Sequence, residues 1–179
     1  MNDYYFETKR LYFRNWKESD KPVFAEMNAD PDVMKYFVNS LNIAQSNAFA
    51  ERIQKQINEK KYGLWAVELK ENKQFIGFIG YNYTDFPSDF TPCIEIGWRL
   101  HKAFWDNGYA TEGAKACLNY GFNVLNLNEI YSFTSFINKK SQKIMQKIGM
   151  KKVKEFNHPN VPDTNVLNRH VLYRIINIK

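Results

Sequence analysis

No run of apolar residues in this 179-residue chain approaches the roughly 20 that a membrane-spanning helix needs. The opening stretch MNDYYFETKR has no basic region followed by an apolar one, so no secretory signal is expected. Cysteine is scarce. Cys93 and Cys117 lack the spacing of metal ligands and give no disulfide framework, which fits a reducing, cytoplasmic setting. Internal repeats and low-complexity linkers are absent, and the length suits a single domain over residues 1–179. Basic residues are not concentrated either. The net charge of +6 suits an anionic ligand, but Lys and Arg are scattered, with short clusters such as INKKSQK and MKKVK. A nucleic-acid binder gathers them into one patch or arm. Neither nucleic acid nor membrane is expected as a partner. No Gly-Lys-Ser/Thr occurs, which excludes a Walker A loop.

What is present is a large apolar inventory, 44% of the residues, with 16% aromatic. RLYFRNW alternates as a strand. A helix opens near Ser19 or Asp20 with Pro22 in its first turn, and ADPD breaks it. AQSNAFAERIQKQINEKK places Ala48, Phe49, Ile53 and Ile57 at near-helical spacing, and Gly63 is expected to end that helix. LWAVELKENKQFIGFIGYNY reads as a hairpin turning at KENKQ. After the loop TDFPSDFTP comes the strand CIEIGWRL, then a helix with Ala110, Ala114, Cys117, Leu118, Gly121, Phe122 and Leu125 on one face. EIYSFTSFI is a strand. KKSQKIMQKIG is a short helix with Ile144, Met145 and Ile148 inward and Gly149 as its C-terminal cap. MKKVKEF and RHVLYRII close the chain, separated by NHPNVPDTNVLN. The strand–helix–strand passage implies a right-handed parallel crossover and the hairpin antiparallel pairing. The fold class is a mixed α/β or α+β sheet flanked by helices.

The stretch GYATEG enters its helix with little side chain, which is how main-chain N–H groups are brought to a phosphate. As a dinucleotide fingerprint it fails. His101–Asn107 separate the strand from Gly108, and Glu129, at the right distance for a ribose-binding acid, begins a strand instead of ending one. There remains a loop of small residues whose N–H groups can converge on a pyrophosphate. Gly108 permits positive φ, Ala110 keeps the surface low and Thr111 offers a hydroxyl. Small residues that only ease packing at a helix start are the competing reading.

Taken together, TKRLYFRNWKESD, FIGFIGY, EIGWRLHKAFWDNGYATEGAKACLNYGF, NKKSQKIMQKIGM and NRHVLYRI resemble the GNAT N-acetyltransferase superfamily over nearly the whole chain. Within it, the chain looks most like the ribosomal-protein-alanine acetyltransferase (RimJ/RimL) group. That resemblance implies a central, mostly antiparallel sheet with a parallel strand pair splayed around acetyl-CoA and helices on both faces. It implies that the backbone of Trp98, Arg99 and Leu100 pairs with the pantetheine amides. It further implies that main-chain N–H groups from Asn107, Gly108, Tyr109, Ala110 and Thr111 hold the pyrophosphate. Asn138 matches the asparagine that contacts the pantetheine arm, and Lys139, Lys140 or Lys143 could meet the 3′-phosphate. Trp105 stands where the general pattern has Gln or Arg, as is usual in the RimJ/RimL group. Asp106-Asn107 replaces that group's frequent Gly-Lys and puts a negative charge near the phosphates.

Acetyl transfer needs a neutral amine, a donor for the developing oxyanion and a leaving thiol. The backbone N–H of Trp98 or Arg99 is the candidate oxyanion donor. The slot that often holds an acidic tyrosine is Met145. By the same resemblance Ser141 would protonate the leaving sulfur, with helix N-cap as its alternative role, and Glu95 would be the base. His101, His158 and His170 are further base candidates. An α-amine costs about 1 kcal/mol to neutralise at pH 7 and a lysine amine about 4–5, which favours a protein N-terminus or a small α-amino compound. Tyr36, Phe37, Phe86 and Phe90 offer apolar walls for the acceptor. An acetyl-CoA-binding sensor without turnover and a nucleic-acid-binding module are the alternatives. Oligomeric state is left open, a homodimer included.

Overall fold

The computed structural model describes residues 4–178. Eight strands form one sheet: β1 (Tyr4–Glu7), β2 (Leu11–Arg14), β3 (Leu64–Leu69), β4 (Phe75–Thr84), β5 (Cys93–Leu100), β6 (Glu129–Ser135), β7 (Lys151–Asn157) and β8 (Arg169–Ile176). Their spatial order is β1-β2-β3-β4-β5-β6-β8-β7. Every neighbouring pair is antiparallel except β5 with β6. Helices α1 (Lys21–Ala29) and α2 (Ile43–Lys60) lie between β2 and β3 in the chain, α3 (Tyr109–Asn123) crosses from β5 to β6, and α4 (Lys139–Lys147) joins β6 to β7. The expected mixed sheet and parallel crossover are both present.

Alternation along β4 shows why helices cover both faces. Phe78 packs against Phe24 of α1 and Phe49 of α2. Its neighbour Ile79 lies against Gly113 of α3, where an added Cβ would come within 2.4 Å of Ile79 Cδ1. Successive residues of a strand face opposite sides, so α1 and α2 lie on one face and α3 on the other.

Three details differ from the sequence reading. Strand β1 was not expected, because its residues YYFE carry no alternation of apolar and polar. Aromatic stacking holds it: Tyr4 lies 4.0 Å from Tyr12, and Phe6 lies 4.3 Å from Phe13 and 4.6 Å from Tyr120, between ring centroids. Helix α2 begins at Ile43 because Asn42 and Gln45 cap each other's backbone N–H, both at 2.9 Å. It ends at Lys61, in the left-handed region at φ 61°, and not at Gly63. Gly63 instead allows close approach: a Cβ there would meet Ile57 Cγ1 at 2.5 Å, and its carbonyl accepts from the Tyr81 N–H.

The α1 entry is fixed by buried charge. Arg14 on β2 donates through Nη1 and Nη2 to Asp20, at 2.7 and 2.9 Å, and through Nε to Glu68 on β3 at 2.7 Å. All three residues are 2% exposed. Burial alone would push the Glu68 carboxyl up, but the Arg14 guanidinium, with Lys17 and the Tyr4 hydroxyl, outweighs it and holds it below the usual range. Removing one partner strands the others. Arg14→Met is expected to lower stability by about 3–5 kcal/mol, read as a lower denaturant midpoint with an unchanged m-value. A loss under about 1 kcal/mol would show that the network is not a structural hinge.

Candidate active site

Strands β5 and β6 share one paired position, Glu95 with Tyr131. Just beyond it, the Ser132 hydroxyl donates to the Ile96 carbonyl at 2.8 Å. Past that tie the strands part, and a cleft of about 1470 Å³ opens between them, walled by β5, β6, the start of α3 and α4. Ladder parity decides which main-chain groups face the gap. The His101 N–H donates to Ile76 of β4, so in this antiparallel register Arg99 and Gly97 also turn their backbone to β4. Trp98 and Leu100 then turn theirs to the gap. The Leu100 carbonyl is taken by the Trp105 indole N–H at 2.8 Å, which leaves the Trp98 N–H and C=O and the Leu100 N–H. The expectation that Arg99 offers its backbone to a ligand is corrected here, because that backbone serves the β4 ladder.

The loop before α3 is shaped by two left-handed residues, Asp106 at φ 61° and Gly108 at φ 79°. Gly108 is the N-cap and no side chain caps the helix. The first helical bond runs from the Glu112 N–H to the Gly108 carbonyl. The N–H groups of Tyr109, Ala110 and Thr111 therefore have no acceptor among the described residues. Glu112, the one acid of the first turn, is occupied: it accepts from the Thr8 hydroxyl at 2.6 Å, the Arg10 N–H at 3.0 Å and Arg10 Nε at 2.7 Å. Asp106 is exposed and lies 3.6 Å from Lys140 Nζ, which offsets its charge. These open amides at a helix start fit a pyrophosphate. The Asn107 side chain folds back to the Trp105 carbonyl at 2.9 Å and does not line the cleft.

Helix α4 forms the opposite wall. Its N-cap is Asn138, which accepts from the Ser141 N–H at 3.2 Å and donates to Thr134 at 3.0 Å. Ser141 is therefore not the cap. Its half-buried hydroxyl faces the cleft with no partner among the described residues. Lys143 also lines the cleft, and Lys139 lies over the Phe136 ring at 3.8 Å. Met145 is 1% exposed and packs as core.

Glu95 stands at the foot of the gap. Its carboxylate accepts from Thr84 at 3.1 Å, and Asn82 is a second donor. Burial raises it to about 7, and the two hydrogen bonds offset only part of that. No cation pairs with it among the described residues. The histidines are less suited to take a proton. His158, pushed down to about 4 by burial and then by neighbouring His170, lies in an aromatic cluster with Phe86 and Phe133. Burial lowers His170 too. His101 accepts from the Ala103 N–H outside the cleft. Tyr36, Phe37 and Phe86 line the cleft, while Phe90 packs behind with Tyr131 and Phe156.

Sequence reasoning missed what the Arg99 side chain does. It is 9% exposed, lies 4.1 Å from the Phe37 ring centroid, and donates from Nη1 to Asn28 Oδ1 at 2.5 Å. Burial alone lowers it, to about 10. Its signal was in the pairing of β4 with β5, which the separate strands do not display.

The Glu95 carboxyl binds its proton more tightly when folded, so stability should fall as pH rises from about 4.5 to 7. We expect this group to remove about 1–3 kcal/mol between pH 5 and pH 8. In Glu95→Gln that fall should be absent, leaving the variant more stable than the parent at pH 8. Parallel stability curves for the two proteins would contradict the burial of this carboxylate.

Comparison with known proteins places these features in a wider group. The family described as acetyltransferase (GNAT) domain matches residues 10–151. YkkB of Bacillus subtilis is 33% identical over 158 residues, covering 85% of this chain and 90% of that protein. The N-acetyltransferase YnaD of the same organism is 33% identical over 146 residues, covering 81% of each. The crystal structure of a GNAT-family acetyltransferase from Bacillus anthracis superposes with a TM-score of 0.79 at 26% identity, over 95% of this chain and 96% of that one.

Proposed function

The chain belongs to the acetyltransferase (GNAT) family, and from that premise we propose that it moves the acetyl group of acetyl-CoA to the α-amine of a protein N-terminus or a small compound. The family's enzymes are acetyl-CoA-dependent N-acyltransferases, and acetyl-CoA is the cofactor. We also assign it to the RimJ/RimL group, on the joint motifs EIGWRL, WDNGYATEG and NKKS. The whole chain acts as one domain. The two buried free cysteines suit the cytoplasm.

Bound in the cleft, acetyl-CoA supplies an activated thioester carbonyl and a thiol leaving group. The N–H groups of Tyr109, Ala110 and Thr111 hold the pyrophosphate, with Gly108 shaping the turn. Asn107 contributes its backbone only. The Trp98 carbonyl and Leu100 N–H extend the sheet edge to the pantetheine arm. Asn138 meets the same arm from α4, and Lys143 meets the 3′-phosphate. The Trp98 N–H, aimed into the gap, donates to the developing oxyanion, an interaction typically worth about 3–4 kcal/mol. As the adduct collapses, its nitrogen loses a second proton, which the Ser141 hydroxyl relays to the departing sulfur.

One observation carries the reading: an unpaired carboxylate raised to about 7 at the foot of the gap, beside a strand edge whose next free N–H is that of Trp98. Glu95 removes the amine's proton. An α-amine of about 7.7–8.0 is within roughly one unit of it, a penalty of about 1 kcal/mol. A lysine amine near 10.4 costs about 4–5 kcal/mol, so the α-amine is the better acceptor. Asp106, whose charge would oppose a pyrophosphate, is drawn to Lys140. Met145 is buried and supplies no proton, so protonation of the leaving group falls to Ser141.

The rate should report Glu95. With the α-amine held saturating at every pH, kcat is expected to rise about tenfold through pH 7, and Glu95→Gln should lose both the limb and at least about 100-fold in rate. A rate insensitive to Glu95→Gln would remove it as the base. Gly108→Glu puts a side chain at positive φ and a charge beside the amides, so the acetyl-CoA Kd should rise at least about 300-fold, which is over about 3 kcal/mol, while folding loses about 1 kcal/mol. Equal losses of binding and folding energy would count against the phosphate loop.

A further inference from the structure

Arg99 has features that the acetyl-transfer scheme does not use. The guanidinium is held in place: Nη1 donates to Asn28, and the Asn28 amide donates in turn to Ser46 at 2.8 Å. Asn28 and Ser46 are fully buried. Phe37, Phe78 and Phe49 lie 4.1, 5.4 and 5.7 Å from the guanidinium carbon. No carboxylate pairs with it among the described residues, and Nε is buried without any acceptor. Nη2 has no acceptor among the described residues either. A buried cation with an orphaned donor is costly unless a ligand completes it. The free Nε–Nη2 edge is the side of a guanidinium that takes the two oxygens of a carboxylate in parallel.

Its place relative to the chemistry follows from the strand. Glu95, Gly97 and Arg99 share one face of β5, the face of α1 and α2, opposite to α3 and its phosphate-holding amides. Strand rise puts the Glu95 and Arg99 backbones about 13 Å apart. Between them Gly97 is bare, and a Cβ built there meets nothing within 4 Å. The floor of the acceptor side is therefore an open strip with a proton acceptor at one end and an unmatched guanidinium at the other. Glu95 and Arg99 are too far apart to neutralise each other, and neither perturbs the other's ionisation.

We propose that Arg99 anchors a carboxylate carried by the acceptor, so that the amine substrate is an amino acid or a similarly short amino-carboxylate. This rests on the acetyltransferase reading and narrows its substrate class. Polyamines and neutral amines would leave the guanidinium unmatched. Pairing the carboxylate with Arg99 also withdraws negative charge that keeps the neighbouring amine protonated, which eases proton transfer to Glu95. Phe37 lies across the guanidinium and is itself 45% exposed, so the anion's path runs past this one ring.

The test is acid-over-amide discrimination, measured as kcat/KM by thiol release from acetyl-CoA. The panel pairs free amino acids with their carboxamides and adds aminoalkyl phosphates and spermidine. At least one free acid is expected to exceed its carboxamide by about 30-fold or more, with spermidine a poor acceptor. In Arg99→Met the ratio should collapse to below about threefold. Arg99→Lys keeps the charge but loses the two-pronged edge, and should show an intermediate ratio. It serves in place of Arg99→Met should that variant's melting curve show that it does not fold. Equal turnover of acids and amides by the parent protein, or an undiminished ratio in the variants, would overturn the anchor while leaving acetyl transfer intact. Preference for an aminoalkyl phosphate over every amino acid would overturn the choice of carboxylate. Acetyl-CoA binding without turnover of any amine would overturn the acetyl-transfer reading and this inference with it.

Discussion

Two parallel strands that start side by side and then part set the terms for everything else in this molecule. At Glu95 and Tyr131 β5 and β6 are paired; two residues later they are not. A sheet interrupted in its middle exposes main-chain groups that would otherwise be satisfied, and such groups demand partners. Part of the demand is met internally, by Ser132 at the Ile96 carbonyl and Trp105 at the Leu100 carbonyl. What is left, the edge at Trp98 and the Leu100 N–H, is where an extended ligand can continue the sheet. The crossover helix α3 begins at the same opening, so its uncapped amides face the gap as the strand edge does.

Charge is arranged around that opening with some care. The one acid in the first turn of α3 is bound by Arg10 and Thr8, and Asp106 is drawn to Lys140, so the phosphate-facing loop is left without free negative charge. On the other face of β5 the arrangement is reversed, because half-buried Glu95 and buried Arg99 have no opposite charge among the described residues. Each lowers the stability of the fold. Elsewhere buried ions are paired, as at Arg14, Asp20 and Glu68. The contrast between a matched triad and two unmatched single charges sets this face of β5 apart from the rest of the sheet.

Much of this architecture could be read from the sequence. The crossover helix, the β3–β4 hairpin, the α4 cap at Gly149 and the phosphate loop all carry local signals, in glycine placement and apolar spacing. Strand β1 escaped notice because stacking against Tyr12, Phe13 and Tyr120 holds it, and those contacts are distant in the chain. Of the candidate site, the open amides at the start of α3 carry a sequence signal in Gly108 and Ala110. Its side chains carry less, because their surroundings depend on register. The β4–β5 pairing sets Asn82 beside Glu95, with Thr84 two residues further on, and Phe78 beside Arg99. The same parity turns the Arg99 backbone away from the gap. Ser141 was weighed as a helix cap because the chain does not show that Asn138 already fills that place.

The central claim is that the parted strand edge and the uncapped start of α3 grip acetyl-CoA through bare main chain. Amide-resolved NMR of the uniformly nitrogen-15-labelled protein, titrated with acetyl-CoA, tests this most directly. The account predicts the largest shifts and the strongest gain in exchange protection at the N–H groups of Trp98, Leu100, Tyr109, Ala110 and Thr111, with Arg99, bonded within the sheet, changing less. Saturable binding that leaves these five amides unmoved, and perturbs another surface instead, would contradict it.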